Sequence, residues 1–82
     1  MVEVKYDSYF KKKISKIKDS SLKNQVIKQI EKIIHNPELG KPMKYERKGT
    51  REVYIKPFRL VYSYDKEVLV ILFLDLYHKK EQ

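Results

Sequence analysis

The chain has 82 residues, no cysteine and no tryptophan, and its 19 Lys and Arg stand against 11 Asp and Glu, a formal charge of +8 at pH 7. That length leads us to expect one domain, 1–82, around a small core, and the lack of cysteine excludes disulfides and thiolate metal sites and fits a reducing compartment. The longest apolar run, Val68 to Leu74, is far too short to cross a bilayer, and the N-terminus has no signal-like apolar stretch, so we expect a soluble, cytoplasmic protein with no membrane role and, from its charge, a polyanionic partner.

In "VEVKY", Val2, Val4 and Tyr6 alternate with Glu3 and Lys5, the pattern of a short strand with one buried face. Asp7 or Ser8 can cap a following helix, in which Phe10, Ile14 and Ile17 share one face and lysines cover the remainder. Asp19-Ser20-Ser21 breaks that helix and caps the next. Leu22, Val26, Ile30, Ile33 and Ile34 then recur at helical spacing until Pro37 and Gly40 end the run. The short break predicts an αα-hairpin whose two apolar stripes need a surface to cover.

The second half supplies that surface. "EVYIK", "RLVYSY" and "VLVILFLDLY" read as three strands of an antiparallel meander, with Pro57 at a strand end and Asp65-Lys66-Glu67 as a turn. The last of them is apolar on both faces and so predicts a central strand. The expected fold is α+β, ordered β-α-α-β-β-β, a small antiparallel sheet with the αα-hairpin packed on one face. The expected core is Val4, Phe10, Ile14, Ile17, Leu22, Val26, Ile30, Ile33, Val53, Ile55, Val61, Val70 and Leu72.

Few residues offer chemistry. There is no glycine-rich phosphate loop, no zinc-protease motif and no calcium loop. His35 closes a helix, where capping is its expected role. What remains is basic and aromatic: "GKPMKYERKGTREVYIK" carries Lys41, Lys44, Arg47, Lys48, Arg51 and Lys56, Arg59 follows, and Tyr77, His78, Lys79 and Lys80 close the chain. In a meander the start of one strand lies near the end of its neighbour, which would bring Tyr77 and His78 close to Arg59. Such a patch suits phosphates and stacked bases. The competing reading is a solvated basic surface with half-buried tyrosines, in which Arg59 snorkels from a strand end.

The same residues carry a resemblance. "VEVKYDSYFKKKISKI", "NPELGKPMKYERKGTREVYI" and "FRLVYSYDKEVLVILFLDLYHKK" are similar, in that order and over nearly the whole chain, to toxins of the RelE/ParE superfamily, the toxin half of type II toxin–antitoxin pairs. The resemblance implies the same β-α-α-β-β-β fold. It also implies an mRNA endoribonuclease of the RelE/YoeB kind, which cuts mRNA on the ribosome without a metal or other cofactor, by attack of the 2′-hydroxyl on the adjacent phosphate. Such a reaction needs a base, cations around the phosphorane and an acid for the leaving oxygen. By resemblance Arg59 stabilises the phosphate and His78 acts as acid, while Glu52 and Lys56 lie on the strand where relatives carry catalytic groups. Lys44, Arg47, Lys48, Arg51, Tyr54, Tyr77, Lys79 and Lys80 are the expected RNA-binding set, with Tyr77 stacking on a base. The implied partners are an acidic antitoxin and mRNA on the ribosome. The sequence also departs from the family: many RelE-branch toxins carry a tyrosine beyond the terminal basic pair, which is missing here.

The superfamily contains gyrase-binding, ParE-like toxins and members without toxicity, so a non-catalytic toxin or nucleic-acid-binding module is the alternative. The two readings predict different geometry. Arg59 and His78 converging on an open cleft favours the nuclease, whereas Arg59 buried against a carboxylate such as Asp75 or Glu52 favours the alternative.

Overall fold

The computed structural model describes residues 2–43 and 49–81. The elements run β1 (Glu3–Tyr6), α1 (Ser8–Ser15), α2 (Ser20–His35), β2 (Lys41–Pro42), β3 (Thr50–Ile55), β4 (Phe58–Asp65) and β5 (Val70–His78), followed by a single 3-10 turn, Lys79–Glu81. Both helices start where the sequence places a cap. The Asp7 carboxylate accepts from the Tyr9 amide at 3.2 Å, and Asp19 accepts from the amides of Ser21 and Leu22 at 2.9 and 3.3 Å. These bonds satisfy amides that no helical carbonyl can reach.

The strands form one sheet in the order β1-β5-β4-β3-β2. The fold is the expected α+β arrangement, but the sheet is mixed rather than wholly antiparallel. β2, β3, β4 and β5 pair antiparallel in succession, while β1 lies parallel to β5. Parallel neighbours need a long crossover, and everything between β1 and β5 serves as one. β5 is therefore flanked on both sides along its first half, as its two apolar faces require.

Both helices pack on one face of the sheet. Phe10, Val26 and Ile33 are buried there with Ile55, Leu60, Tyr62, Ile71, Phe73 and Leu76, and Val4, Ile14, Ile17, Leu22, Ile30 and Val53 pack partly buried against them. The Phe73 ring is the centre of an aromatic group, with Tyr6, Phe10 and Tyr62 at centroid distances of 5.4, 5.8 and 5.9 Å. In β4 and β5 the structure reverses the expected phase. Leu60 and Tyr62, Ile71 and Phe73 face the helices. Val61 is buried outside this core, and Val70 and Leu72 are only half-buried. Alternation cannot assign a face where both alternate sets are apolar. β5 also begins at Val70, because Leu69 adopts φ +58° and belongs to the turn with Val68.

A β-bulge interrupts the β4–β5 pairing: Tyr62 faces Phe73, but Val61 faces Asp75, so Leu74 is the extra residue. The bulge takes Asp75 out of the phase of Ile71 and Phe73 and brings Leu76 into it. Asp75 instead accepts from the Lys13 ammonium of α1 at 2.9 Å, and the same ammonium donates to the Leu76 carbonyl.

Tyr62 also ties down the segment between α2 and β2. Its hydroxyl accepts from the Gly40 amide and donates to the Pro37 carbonyl, each at 2.8 Å. Gly40 permits this approach, since a β-carbon there would lie 2.8 Å from both the hydroxyl and the adjacent ring carbon. Arg51 closes the clamp by donating to the carbonyls of Glu38 and Gly40 at 3.1 and 2.7 Å. Burial raises the Tyr62 pKa above the usual tyrosine range, and the Gly40 amide opposes this only in part.

Two outcomes test this packing. Ile33→Ala, at a fully buried site, is expected to lower unfolding stability in urea by about 2–5 kcal/mol, and Ile30→Ala, at a half-buried one, by less. Tyr62→Phe strands the Gly40 amide and Pro37 carbonyl and is expected to cost about 1–3 kcal/mol near neutral pH. Because the folded pKa of Tyr62 is the raised one, its contribution is full below the ordinary tyrosine value of about 10 and fades as pH rises through the folded value. The stability gap between wild type and Tyr62→Phe should shrink over that alkaline range in parallel urea titrations.

Candidate functional site

Because Val53, Ile55 and Leu60 turn toward the helices, strand alternation turns Glu52, Tyr54 and Arg59 to the other face. The register sets Arg59 between Tyr54 on β3 and Tyr77 on β5, and Glu52 between Lys41 on β2 and Val61 on β4. On this face Lys41, Pro42, Met43, Glu52, Tyr54, Arg59 and Lys79 line a cleft of about 550 Å³. The clamp of Tyr62 and Arg51 fixes the chain immediately before Lys41, and the Met43 amide bonds the Thr50 carbonyl at 2.9 Å. The wall carrying Lys41 is thus held at both ends.

Glu52 is the centre of the cleft floor and is only 7 % exposed. One carboxylate oxygen accepts from Arg59 Nη1 at 3.2 Å, and the other accepts from the Tyr77 hydroxyl at 2.5 Å. A carboxylate at this depth is costly to bury without such donors. The bond from Glu52 in turn raises the Arg59 pKa, against the opposing effect of desolvation. The Arg59 side chain is 30 % exposed, its Nε has no partner among the described residues, and its guanidinium carbon stands 5.9 Å from the centre of the Tyr54 ring. Tyr54 is 53 % exposed, so its ring is available to a ligand as well.

Of the expected site residues, the structure brings together Glu52, Tyr54, Arg59, Tyr77 and Lys79 and sets His78, Arg51, Lys56 and Lys80 apart from them. His78 does not converge with Arg59. It pairs with Phe58, whose ring lies edge-on to the imidazole at 5.2 Å and packs against the core, so His78 faces the helix side. Its Nδ1 accepts from the Lys80 amide at 3.1 Å. Successive strand residues point to opposite faces, so Tyr77 and His78 cannot both reach the cleft. Tyr77 does reach it, but as a buried donor to Glu52 and not as an exposed stacking ring. Arg51 faces the helix side opposite Tyr62 and serves the clamp. Lys56 is exposed in the β3–β4 turn and Lys80 is exposed on the terminal 3-10 turn, both outside the cleft lining. Lys44, Arg47 and Lys48 lie outside the described residues. Lys41 belongs to the basic segment but not to the expected RNA-binding set, and Pro42 and Met43 were not expected at the site at all. The signal for them was the Gly40-Lys41-Pro42 sequence, a tight approach followed by a cation and a residue suited to a sheet edge.

The cleft therefore offers the cations of Lys41, Arg59 and Lys79, an exposed ring and one buried carboxylate. That set can bind a phosphate, stack a base and accept a proton. Among the described residues, no group of three or more His, Cys, Asp or Glu could hold a metal ion, and no helix is long and apolar enough to cross a membrane.

Comparison with known structures finds the same fold in toxins. The isolated RelE toxin of E. coli superposes with a TM-score of 0.79 at 15% identity, over 95% of this chain and 84% of that one. The toxin–antitoxin complex RelBE2 of Mycobacterium tuberculosis gives 0.78 at 23% identity, over 94% and 96%. The archaeal RelE–RelB complex of Pyrococcus horikoshii OT3 gives 0.77 at 16% identity, over 99% and 98%. No curated protein matches the sequence. The sequence model of the ParE toxin of type II toxin–antitoxin systems, parDE, matches residues 4–82. With that match spanning nearly all of it, the chain belongs to the ParE toxin family, within the RelE/ParE superfamily of type II toxins.

Proposed function

We propose that this toxin is a ribosome-dependent mRNA endoribonuclease and that the cleft on the helix-free face is its active site. The observation that carries this reading is the meeting of Glu52, Arg59, Lys41, Lys79 and Tyr54 in one open cleft. Tyr54 receives a base by stacking, and Lys41 and Arg59 hold the scissile phosphate. Glu52 takes the proton of the 2′-hydroxyl, and that oxygen attacks the adjacent phosphorus. Arg59 stabilises the negative charge of the phosphorane. The P–O5′ bond then breaks, Lys79 gives a proton to the departing 5′-oxygen, and a 2′,3′-cyclic phosphate and a 5′-hydroxyl result. Lys79 replaces His78 as the acid in this scheme, because His78 lies on the opposite face.

The same geometry favours a second reading. Both oxygens of Glu52 are engaged, Arg59 is paired with it, and the terminal histidine points away from the cleft. That is the arrangement expected of a non-catalytic member, a gyrase-binding toxin or an inactive nucleic-acid-binding module. Purified, antitoxin-free protein separates the two when assayed on ribosome-bound mRNA and on gyrase supercoiling in parallel. The nuclease reading expects Arg59→Ala to slow mRNA cleavage on the order of a hundredfold or more and Glu52→Gln on the order of 10²- to 10⁴-fold. His78→Ala should cleave at the wild-type rate, with all variants folded by circular dichroism. Wild-type protein that cuts no mRNA overturns it, and gyrase inhibition then separates a gyrase-binding toxin from an inactive nucleic-acid-binding module.

An acidic antitoxin is the proposed cellular partner. Solved relatives include toxin–antitoxin complexes, and this chain carries +8. A negative segment that folds over the toxin gains both charge pairing and apolar burial. Affinity for the antitoxin should fall as potassium chloride is raised from 50 to 500 mM, concentrations bracketing a Debye length of about 8–10 Å. A dissociation constant that does not change over this range counts against charge as the source of affinity. A ribosomal target also places the proposed activity in the cytoplasm.

A further inference from the structure

The two bonds to Glu52 are unequal. Tyr77 donates at 2.5 Å from a buried position on β5, while Arg59 donates through a single guanidinium nitrogen at 3.2 Å from a side chain still 30 % exposed. Charge-assisted bonds are ordinarily shorter than the second of these. Arg59 also retains a buried Nε–H with no partner among the described residues, so its donors are not used up by the carboxylate. The tyrosine is therefore the anchor of Glu52 and the arginine its looser neighbour.

We propose that Tyr77 is a positioning residue that holds the Glu52 carboxylate off Arg59, leaving the guanidinium available to an RNA phosphate. This rests on the proposal that the cleft takes RNA, but not on its cutting RNA. Glu52 is an anion placed beside the cation that must bind the ligand's anion. With one oxygen turned to Tyr77, it meets Arg59 through the other oxygen alone. Without that anchor both oxygens can close on the planar guanidinium as a bidentate pair. The arginine is then neutralised from within, and an incoming phosphate must displace the closed pair. The tyrosine is also the cross-strand partner of Arg59, and its hydroxyl adds a smaller contribution to that of Glu52 in raising the arginine's pKa.

The test is a double-mutant cycle on the full chain, read by binding. The probe is a 2′-O-methyl RNA hexamer, which lacks the attacking hydroxyl, followed by fluorescence anisotropy at fixed low salt. Tyr77→Phe keeps the ring and removes the hydroxyl, and is expected to weaken binding about tenfold, a charge-assisted bond being worth about that or more. In the Glu52→Gln background the same change should cost less than about twofold, since no carboxylate remains to close on Arg59. A merely structural role for Tyr77 moves both backgrounds equally. Circular dichroism and urea midpoints establish folding, and Tyr77→Trp gives a second hydroxyl-free ring should Tyr77→Phe fail to fold. Wild-type protein that does not bind the hexamer, a Tyr77→Phe affinity equal to wild type, or an equal loss in both backgrounds overturns the proposal. A chain that shows the expected cycle yet cleaves no mRNA supports the positioning role and refutes the nuclease reading.

Discussion

Leu60 and Tyr62 must both enter the core, and that requirement fixes the faces of β4. Each is fully buried among the helices, so the residues between and before them, Val61 and Arg59, have only the other face available. The neighbouring strands are tied to this choice by their register. Tyr54 and Tyr77 flank Arg59, and Glu52 stands beside Val61. The burial of two apolar side chains thus puts an arginine, a carboxylate and two phenol rings on one surface. A slip of one residue would put Arg59 in the core, where a charge lacks both water and a partner.

Tyr62 joins that core to the rim of the cleft. Its ring packs with Phe73 on the helix side, while its hydroxyl holds Gly40 and Pro37. Lys41 begins directly after this anchor. The position of a cleft cation is therefore set by a buried side chain on the opposite face of the sheet. A substitution that disturbs the packing under Tyr62 reaches the cleft without touching any residue that lines it. In a chain of 82 residues, stability and site geometry rest on the same few contacts.

The parts of the fold legible in the sequence were those with one wet face. The helical stripes around Phe10, Val26 and Ile33 were plain, because polar residues mark the solvent side, and the caps were placed to within two or three residues before the structure chose Asp7 and Asp19. β4 and β5 have apolar residues on both faces, so alternation named two strands but chose Val61, Val70 and Leu72 where the core takes Leu60, Tyr62, Ile71 and Phe73. The parallel seat of β1 is a long-range pairing with no local signature. In the site, Arg59 stood out because an arginine in an apolar run needs a reason. The joining of Arg59 with His78 failed because adjacent strand positions face opposite ways. Arg51 and Tyr77 looked like ligand-binding groups, and only their depth and partners show that each serves another residue.

The extra residue in β5 has a consequence for comparing relatives. Leu74 is absorbed without a partner, so everything after it is shifted by one step relative to everything before. Tyr77 owes its side of the sheet to that single unpaired residue, and His78 owes its side to the same. A homologue whose last strand runs without the bulge would present the residue aligned with His78 to the cleft and turn the one aligned with Tyr77 away. Columns of an alignment in this segment are therefore not equivalent positions in space until the bulge has been located. Two toxins ending in the same letters can carry different cleft edges, and two ending in different letters can carry the same one.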